Sequence, residues 1–245
     1  MIELKNVTFS YPKSEKKVLD DLNLTVTDGE FLCVIGHSGC GKSTLLRLIA
    51  GLDVPMSGEI LEDSKAIDGT SVDRSVVFQQ YSLFPWMTVL QNVTFAVQKT
   101  GRFSKTEAKD RAMYFLNKTG LGHVTDSFPY QLSGGMRQRT AIARTLAMDS
   151  PYLLLDEPFG ALDAKIRKEL QILLHELWQE TGKTVIFVTH DLEEALLLAS
   201  RIIFIESGNV RHEKMIGEDI NCCCCQELGQ KDCMALKEEL MGWFR

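Results

Sequence analysis

The stretch Phe31-Leu32-Cys33-Val34-Ile35-Gly36-His37-Ser38-Gly39-Cys40-Gly41-Lys42-Ser43-Thr44 constrains this chain more than any other. Five apolar residues without alternation call for a strand covered on both faces. The next eight fit the pattern G-x-x-x-x-G-K-[ST], and Thr44 to Ala50 has the apolar content of a helix. Strand, glycine loop and helix in that order make a phosphate-binding unit. Small residues let successive backbone N–H groups turn inward around phosphate oxygens, and the helix start adds the positive end of its dipole. Lys42 is expected to neutralise the β- and γ-phosphates of a nucleotide, and Ser43 to ligate Mg²⁺.

The strand reading extends along the chain. Ile2 to Phe9 and Leu22 to Val26 alternate apolar and polar residues, as half-exposed antiparallel strands do. Ser75 to Phe78, Tyr152 to Leu155, Thr184 to Val188 and Arg201 to Ile205 are buried-strand runs with helical stretches between several of them. Residues from about Tyr81 to Leu132 hold no such run, show a helical pattern over Thr106 to Lys118, and break at Gly101 and Gly120. The expected fold is α/β: a mostly parallel core sheet, an N-terminal antiparallel β subdomain and an inserted helical subdomain at about 81–132. Met234 to Phe244 reads as a short amphipathic helix.

Composition narrows the function classes. With 245 residues, 44% of them hydrophobic, the chain can bury one substantial core. A net charge of -6 with interleaved signs offers no basic stripe, so nucleic acid is not an expected partner. No apolar run approaches the roughly 18–20 residues needed to span a bilayer, and the opening residues lack a signal-peptide layout. A cytoplasmic chain is expected, in keeping with cysteines that form no spaced disulfide framework.

Two further segments carry chemistry. Leu153-Leu154-Leu155-Asp156-Glu157 puts a carboxylate at the C-terminal end of a buried strand, where ligands of parallel sheets bind, and a second one directly after it. Beside the phosphate loop, Asp156 is expected to hold the Mg²⁺ shell and Glu157 to orient or deprotonate an attacking water. Leu132-Ser133-Gly134-Gly135-Met136-Arg137-Gln138 precedes a helical run, with Ser133 as a natural N-cap and two glycines that permit close approach of an anion.

Residues 133–138 resemble the signature motif of ATP-binding-cassette ATPases, in a variant of the usual Leu-Ser-Gly-Gly-Gln form with Met136 at the last position. Other positions follow in the family's order. Tyr11 resembles the aromatic that stacks on adenine, Gln79 the Q-loop glutamine, Ala161-Leu162-Asp163 the D-loop, and His190 the switch histidine. Taken singly, each has a plainer explanation: a packed surface aromatic, a polar strand end, a helix cap and a strand-end histidine. The resemblance covers about Met1 to Arg211, and residues 1–221 are assigned to one cassette domain.

The resemblance implies a pair of cassettes, identical or related, with two ATP molecules sandwiched head to tail. Tyr11, Gly36, His37, Ser38, Gly39, Cys40, Gly41, Lys42, Ser43 and Thr44 would bind ATP from one chain, and Ser133, Gly134, Gly135 and Asp163 would complete the site. Glu157, His190, Gln79 and Lys42 would serve hydrolysis, and Ser43, Gln79 and Asp156 would hold Mg²⁺. The segment Gln79 to Val89, with Leu83, Phe84 and Trp86, resembles the docking region for membrane permease subunits, although core packing of Phe84 and Trp86 is an equal alternative. The Leu83-Phe84-Pro85-Trp86 run and the short C-terminus look most like importers of nitrate, aliphatic sulfonates or taurine. Such an importer would sit at the cytoplasmic face of the membrane and meet an extracytoplasmic solute-binding protein indirectly. A soluble single-cassette ATPase of cofactor assembly and an export ATPase are the alternatives.

The tail 222–245 departs from the family. Cys222 to Cys225 are contiguous, with Cys233 eight residues on, a spacing unlike paired structural zinc ligands. A soft-metal or redox role and a tail of reduced thiols both stay open.

Overall fold

The structure, a computed structural model, describes residues 1–12, 14, 16–78, 82–216 and 230–244. Two compact units emerge, one of Met1–Ser71 with Leu177–Arg245 and one of Val72–Glu176.

The first unit holds two sheets. Strands β1 (Ile2–Phe9) and β2 (Leu19–Val26) pair antiparallel, with Ile2 opposite Val26 and Phe9 opposite Leu19. Strand β4 (Ser57–Glu62) pairs with the other edge of β1, and the short β5 (Lys65–Ala66) follows it. Alternation works here as the sequence pattern requires: Ile2, Leu4, Val7 and Phe9 are buried while Lys5 faces solvent.

The second sheet of this unit is built on β3 (Phe31–Ile35), whose five side chains are all fully buried. Each such apolar side chain stabilises the fold by roughly 1.5–3 kcal/mol. Strand β3 runs parallel to β8 (Thr184–Val188) on one side and to β9 (Arg201–Glu206) on the other. Strand β10 (Asn209–Met215) then pairs antiparallel with β9 through a turn at Ser207 and Gly208. Helix α1 (Lys42–Ile49) follows β3, α6 (Leu192–Leu198) follows β8, and α7 (Gln230–Gly242) packs on α6. Phe31 meets Phe187 and the edge of Trp178, whose indole N–H donates to the Gly29 carbonyl at 2.8 Å.

The second unit combines a parallel pair, β6 (Arg74–Val77) and β7 (Tyr152–Asp156), with helices α2 (Val89–Lys99), α3 (Lys105–Lys118) and α4 (Gly134–Ala147). The three helices pack on one another. Helices α2 and α3 each open with a reciprocal capping box, Thr88 with Gln91 and Ser104 with Glu107. Helix α5 (Ala164–Thr181) begins beyond Asp163, whose carboxylate accepts from the Ile166 N–H at 3.0 Å.

The P-loop α/β class expected from the sequence is the class observed, and the seven strand runs singled out there are all strands. Among the described residues, no helix is long and apolar enough to cross a membrane.

Candidate functional site

In the first unit, β3 ends at Ile35 and the chain turns through Gly36, Gly39 and Gly41, all with positive φ. At Gly36 a Cβ would lie 2.3 Å from the Ile205 carbonyl oxygen, and at Gly41 one would lie 2.7 Å from Leu19 Cδ2. Neighbouring strands leave these two positions to glycine. The loop then enters α1 with Gly41 as N-cap, and its carbonyl accepts from the Leu45 N–H at 2.8 Å.

Lys42, the first helical residue, is only 7% exposed. Its ammonium reaches back over the loop and donates to the carbonyls of Gly36 at 2.8 Å and His37 at 2.9 Å. A buried cation thus sits over a turn at a helix N-terminus, as phosphate binding requires. Ser43 beside it is exposed, whereas Thr44 is buried and its hydroxyl lies 3.0 Å from the Tyr11 hydroxyl. Tyr11 is half-exposed and packs edge-on against Phe9, which sets the ring by the same helix that carries Lys42. Because β3 and β8 are parallel, with Val34 opposite Val188, His190 follows β8 at the edge where the loop follows β3. Thr189 holds that turn: its N–H donates to the Val34 carbonyl and its hydroxyl to Glu194 at 2.6 Å.

In the second unit, β6 and β7 are parallel with Val77 opposite Leu155, so the residues after Val77 and after Leu155 leave at one edge. Asp156 is buried at the end of β7. Glu157 has a left-handed backbone, φ 46°, that turns the chain sharply after the strand. Gln79 lies outside the described residues, as do Cys222 to Cys225. The Ser133 hydroxyl caps α4, accepting from the Met136 N–H at 3.2 Å, while Ser133 itself stays exposed. Gly135 approaches the Ala161 carbonyl and the Leu162 side chain, and the buried Gln138 donates to the Pro158 carbonyl at 2.6 Å. The glycine helix start and the segment after Glu157 are therefore fastened together within this unit.

One residue that sequence reasoning missed shapes the 82–89 segment. Asn92, fully buried on α2, accepts from the Phe84 N–H and donates to the carbonyls of Phe84, Met87 and Thr88. The only sequence signal was a polar residue on the apolar face of α2. In this segment Phe84 packs edge-on against Phe95, and Trp86 is 68% exposed. Arg144 further ties Ser82 through its carbonyl at 2.8 Å. Among the described residues, no group of three or more His, Cys, Asp or Glu side chains is placed to hold a metal ion.

Comparisons with known proteins agree with this geometry. A family model described as ABC transporter matches residues 19–160. An uncharacterized ABC transporter ATP-binding protein of Methanocaldococcus jannaschii is 48% identical over 221 residues, covering 89% of this chain and 82% of that one. A nitrate import ATP-binding protein of Synechocystis sp. is 46% identical, covering 86% of this chain and 80% of its own length. A taurine import ATP-binding protein of Yersinia pestis is 48% identical, with 79% and 75% covered. A dimeric ATP-binding cassette solved in a post-hydrolysis state with ADP and Pi superposes with TM-score 0.82 at 38% identity, covering 89% of this chain and 99% of that one. The family model covers more than half of the chain and the relatives are nearly half identical over most of it, so the chain belongs to the ABC transporter family as an ATP-hydrolysing cassette.

Proposed function

We propose that the chain is the ATPase subunit of an importer for a small oxyanion or sulfonate solute, working as a pair of cassettes at the cytoplasmic face of a membrane. The observation that carries this reading is the buried Lys42 ammonium held over the loop at the start of α1. Relatives named for import of nitrate and taurine and for transport of bicarbonate support the solute class. The exposed Trp86 beside Phe84 supports a docking face for permease subunits over residues 82–89, as against a cassette with no membrane partner.

In this reading the loop 36–43 takes the phosphates and Tyr11 the adenine. Lys42 gives up its loop carbonyls for phosphate oxygens, which replaces two neutral acceptors by charged ones. A hydroxyl at Ser43 and a carboxylate at Asp156 are hard oxygen donors that suit Mg²⁺, with Gln79 as a further ligand. Bound there, Mg²⁺ would neutralise charge that develops on the phosphoryl oxygens. Glu157 aligns the attacking water and His190 assists at the γ-phosphate. Ser133, Gly134 and Gly135 of one cassette, with Asp163, complete the site of the other, so ATP favours the closed pair and hydrolysis releases it. The family's shared motifs serve export equally, and import rests on the relatives' names.

The test measures ATPase activity and association state of wild type and Glu157→Gln together. The variant is expected to bind ATP, stay dimeric with it and lose turnover. Normal hydrolysis, or a monomer in ATP, would overturn the assignment of Glu157 and the paired-site reading.

A further inference from the structure

We propose that the aromatic end of α7 is a positioning element for the phosphate loop, in which Phe244 grips the ring of His37 and presets the loop before nucleotide arrives. The inference rests on the reading of residues 36–43 as the phosphate site.

His37 occupies the first variable place of the loop motif, a position the motif itself leaves free. In the structure its ring meets Phe244 edge-on, with centroids 5.3 Å apart, and Phe204 edge-on at 5.9 Å. Phe204 is fully buried in β9 and meets Phe244 edge-on at 4.9 Å. Trp243 lies flat on His212 of β10 at 5.2 Å, with only 17° between the planes. The loop, two strands and the end of α7 thus share one aromatic cluster, the geometry that aromatic pairs favour.

The end of α7 is firmly placed. Leu236 and Leu240 are buried, Lys237 pairs with Glu193 of α6 at 2.6 Å, and Glu239 pairs with Lys214 of β10 at 2.8 Å. Beyond Gly242 one more turn continues, with the Trp243 N–H on the Leu240 carbonyl and the Phe244 N–H on the Met241 carbonyl. That turn delivers Phe244 to His37.

On its other side His37 belongs to the phosphate site. Its carbonyl accepts from the Lys42 ammonium at 2.9 Å and from the Cys40 N–H at 3.3 Å. One residue therefore links the ring of Phe244 to the lysine that meets phosphate. A loop turning through three glycines at positive φ is costly to order, and whatever is fixed in advance is entropy the ligand does not have to supply.

The experiment titrates ADP with MgCl₂ calorimetrically into the full chain under reducing conditions, for wild type, Phe244→Ala, Phe244→Tyr, His37→Ala and the double variant H37A/F244A. Phe244→Ala is expected to weaken ADP binding about three- to tenfold, with Phe244→Tyr within about twofold of wild type. On the His37→Ala background, Phe244→Ala should add nothing, a coupling that general loosening of the fold would not produce. An unchanged Kd in Phe244→Ala, or the same loss on both backgrounds, overturns the proposal while leaving the phosphate site intact. If Phe244→Ala does not fold, Phe244→Leu replaces it with the same two criteria. A wild-type chain that binds no ADP overturns the phosphate-site reading itself, and the proposal with it.

Discussion

Lys42 and Gly36 close the glycine loop on itself: the ammonium at the first turn of α1 donates at 2.8 Å to the carbonyl of the residue just after β3. The lysine is thus satisfied and buried within the loop, and in the proposed reading phosphate replaces these neutral acceptors by charged ones.

Lys42→Ala should lower ATP turnover by about 10²–10³, the usual effect of removing one charge-stabilising donor. Chain stability should fall by about 1–3 kcal/mol, because the buried Gly36 carbonyl stays behind without its donor. Steady-state ATPase rates and a urea midpoint, taken on the same preparation, check both halves.

Gly36→Ala and Gly39→Ala should differ. At Gly36 the new methyl would press on the Ile205 carbonyl at 2.3 Å, so β9 or the loop must shift, at a cost of about 2–3 kcal/mol. At Gly39 nothing lies within 4 Å and only the left-handed backbone, φ 78°, opposes the change, at about 1–2 kcal/mol. Equal urea midpoints for the two variants would contradict the packing described between the loop and β9.

Ser104→Ala should destabilise the chain by about 1 kcal/mol through loss of the α3 cap. The Ser104 side chain and N–H hold the Glu107 carboxyl below its ordinary pKa. A group so depressed adds stability above its unfolded pKa and loses it as pH falls through the folded value. NMR titration of Glu107 should show its pKa returning upward in the variant.

His175, buried on α5, is held below the ordinary histidine pKa by burial, partly opposed by the Glu176 charge. Below about pH 6.5 the unfolded chain then binds more protons than the folded one, so stability falls with acidification through that value and below. His175→Phe should flatten the decline in melting temperature between pH 7 and pH 5.5. A decline of unchanged steepness would show that other groups cause it.

Strands β3, β8 and β9 were legible because they are buried on both faces, and a continuous apolar run admits few other placements. Strand β10 was missed for the opposite reason. Its residues are mostly polar and exposed, and it exists by pairing with β9. Helix α5 lies among the helical stretches expected between the buried strands, but its bounds were not legible because its first turns are polar and exposed; buried Leu170, Leu173 and Leu174 come only later. The phosphate loop, the acidic strand end and the capped glycine helix start could be read because each depends on neighbours in sequence.

The sequence by itself determined that a buried strand leads through a glycine loop to Lys42 and Ser43, since backbone freedom, periodicity and capping are local properties. Only the tertiary structure decided that Asn92 would fasten the backbone of Phe84, Met87 and Thr88 and that Phe244 would meet His37. Those relationships join residues whose positions are set by packing across the fold, and no local pattern carries the distance between a loop near residue 37 and a ring near residue 244.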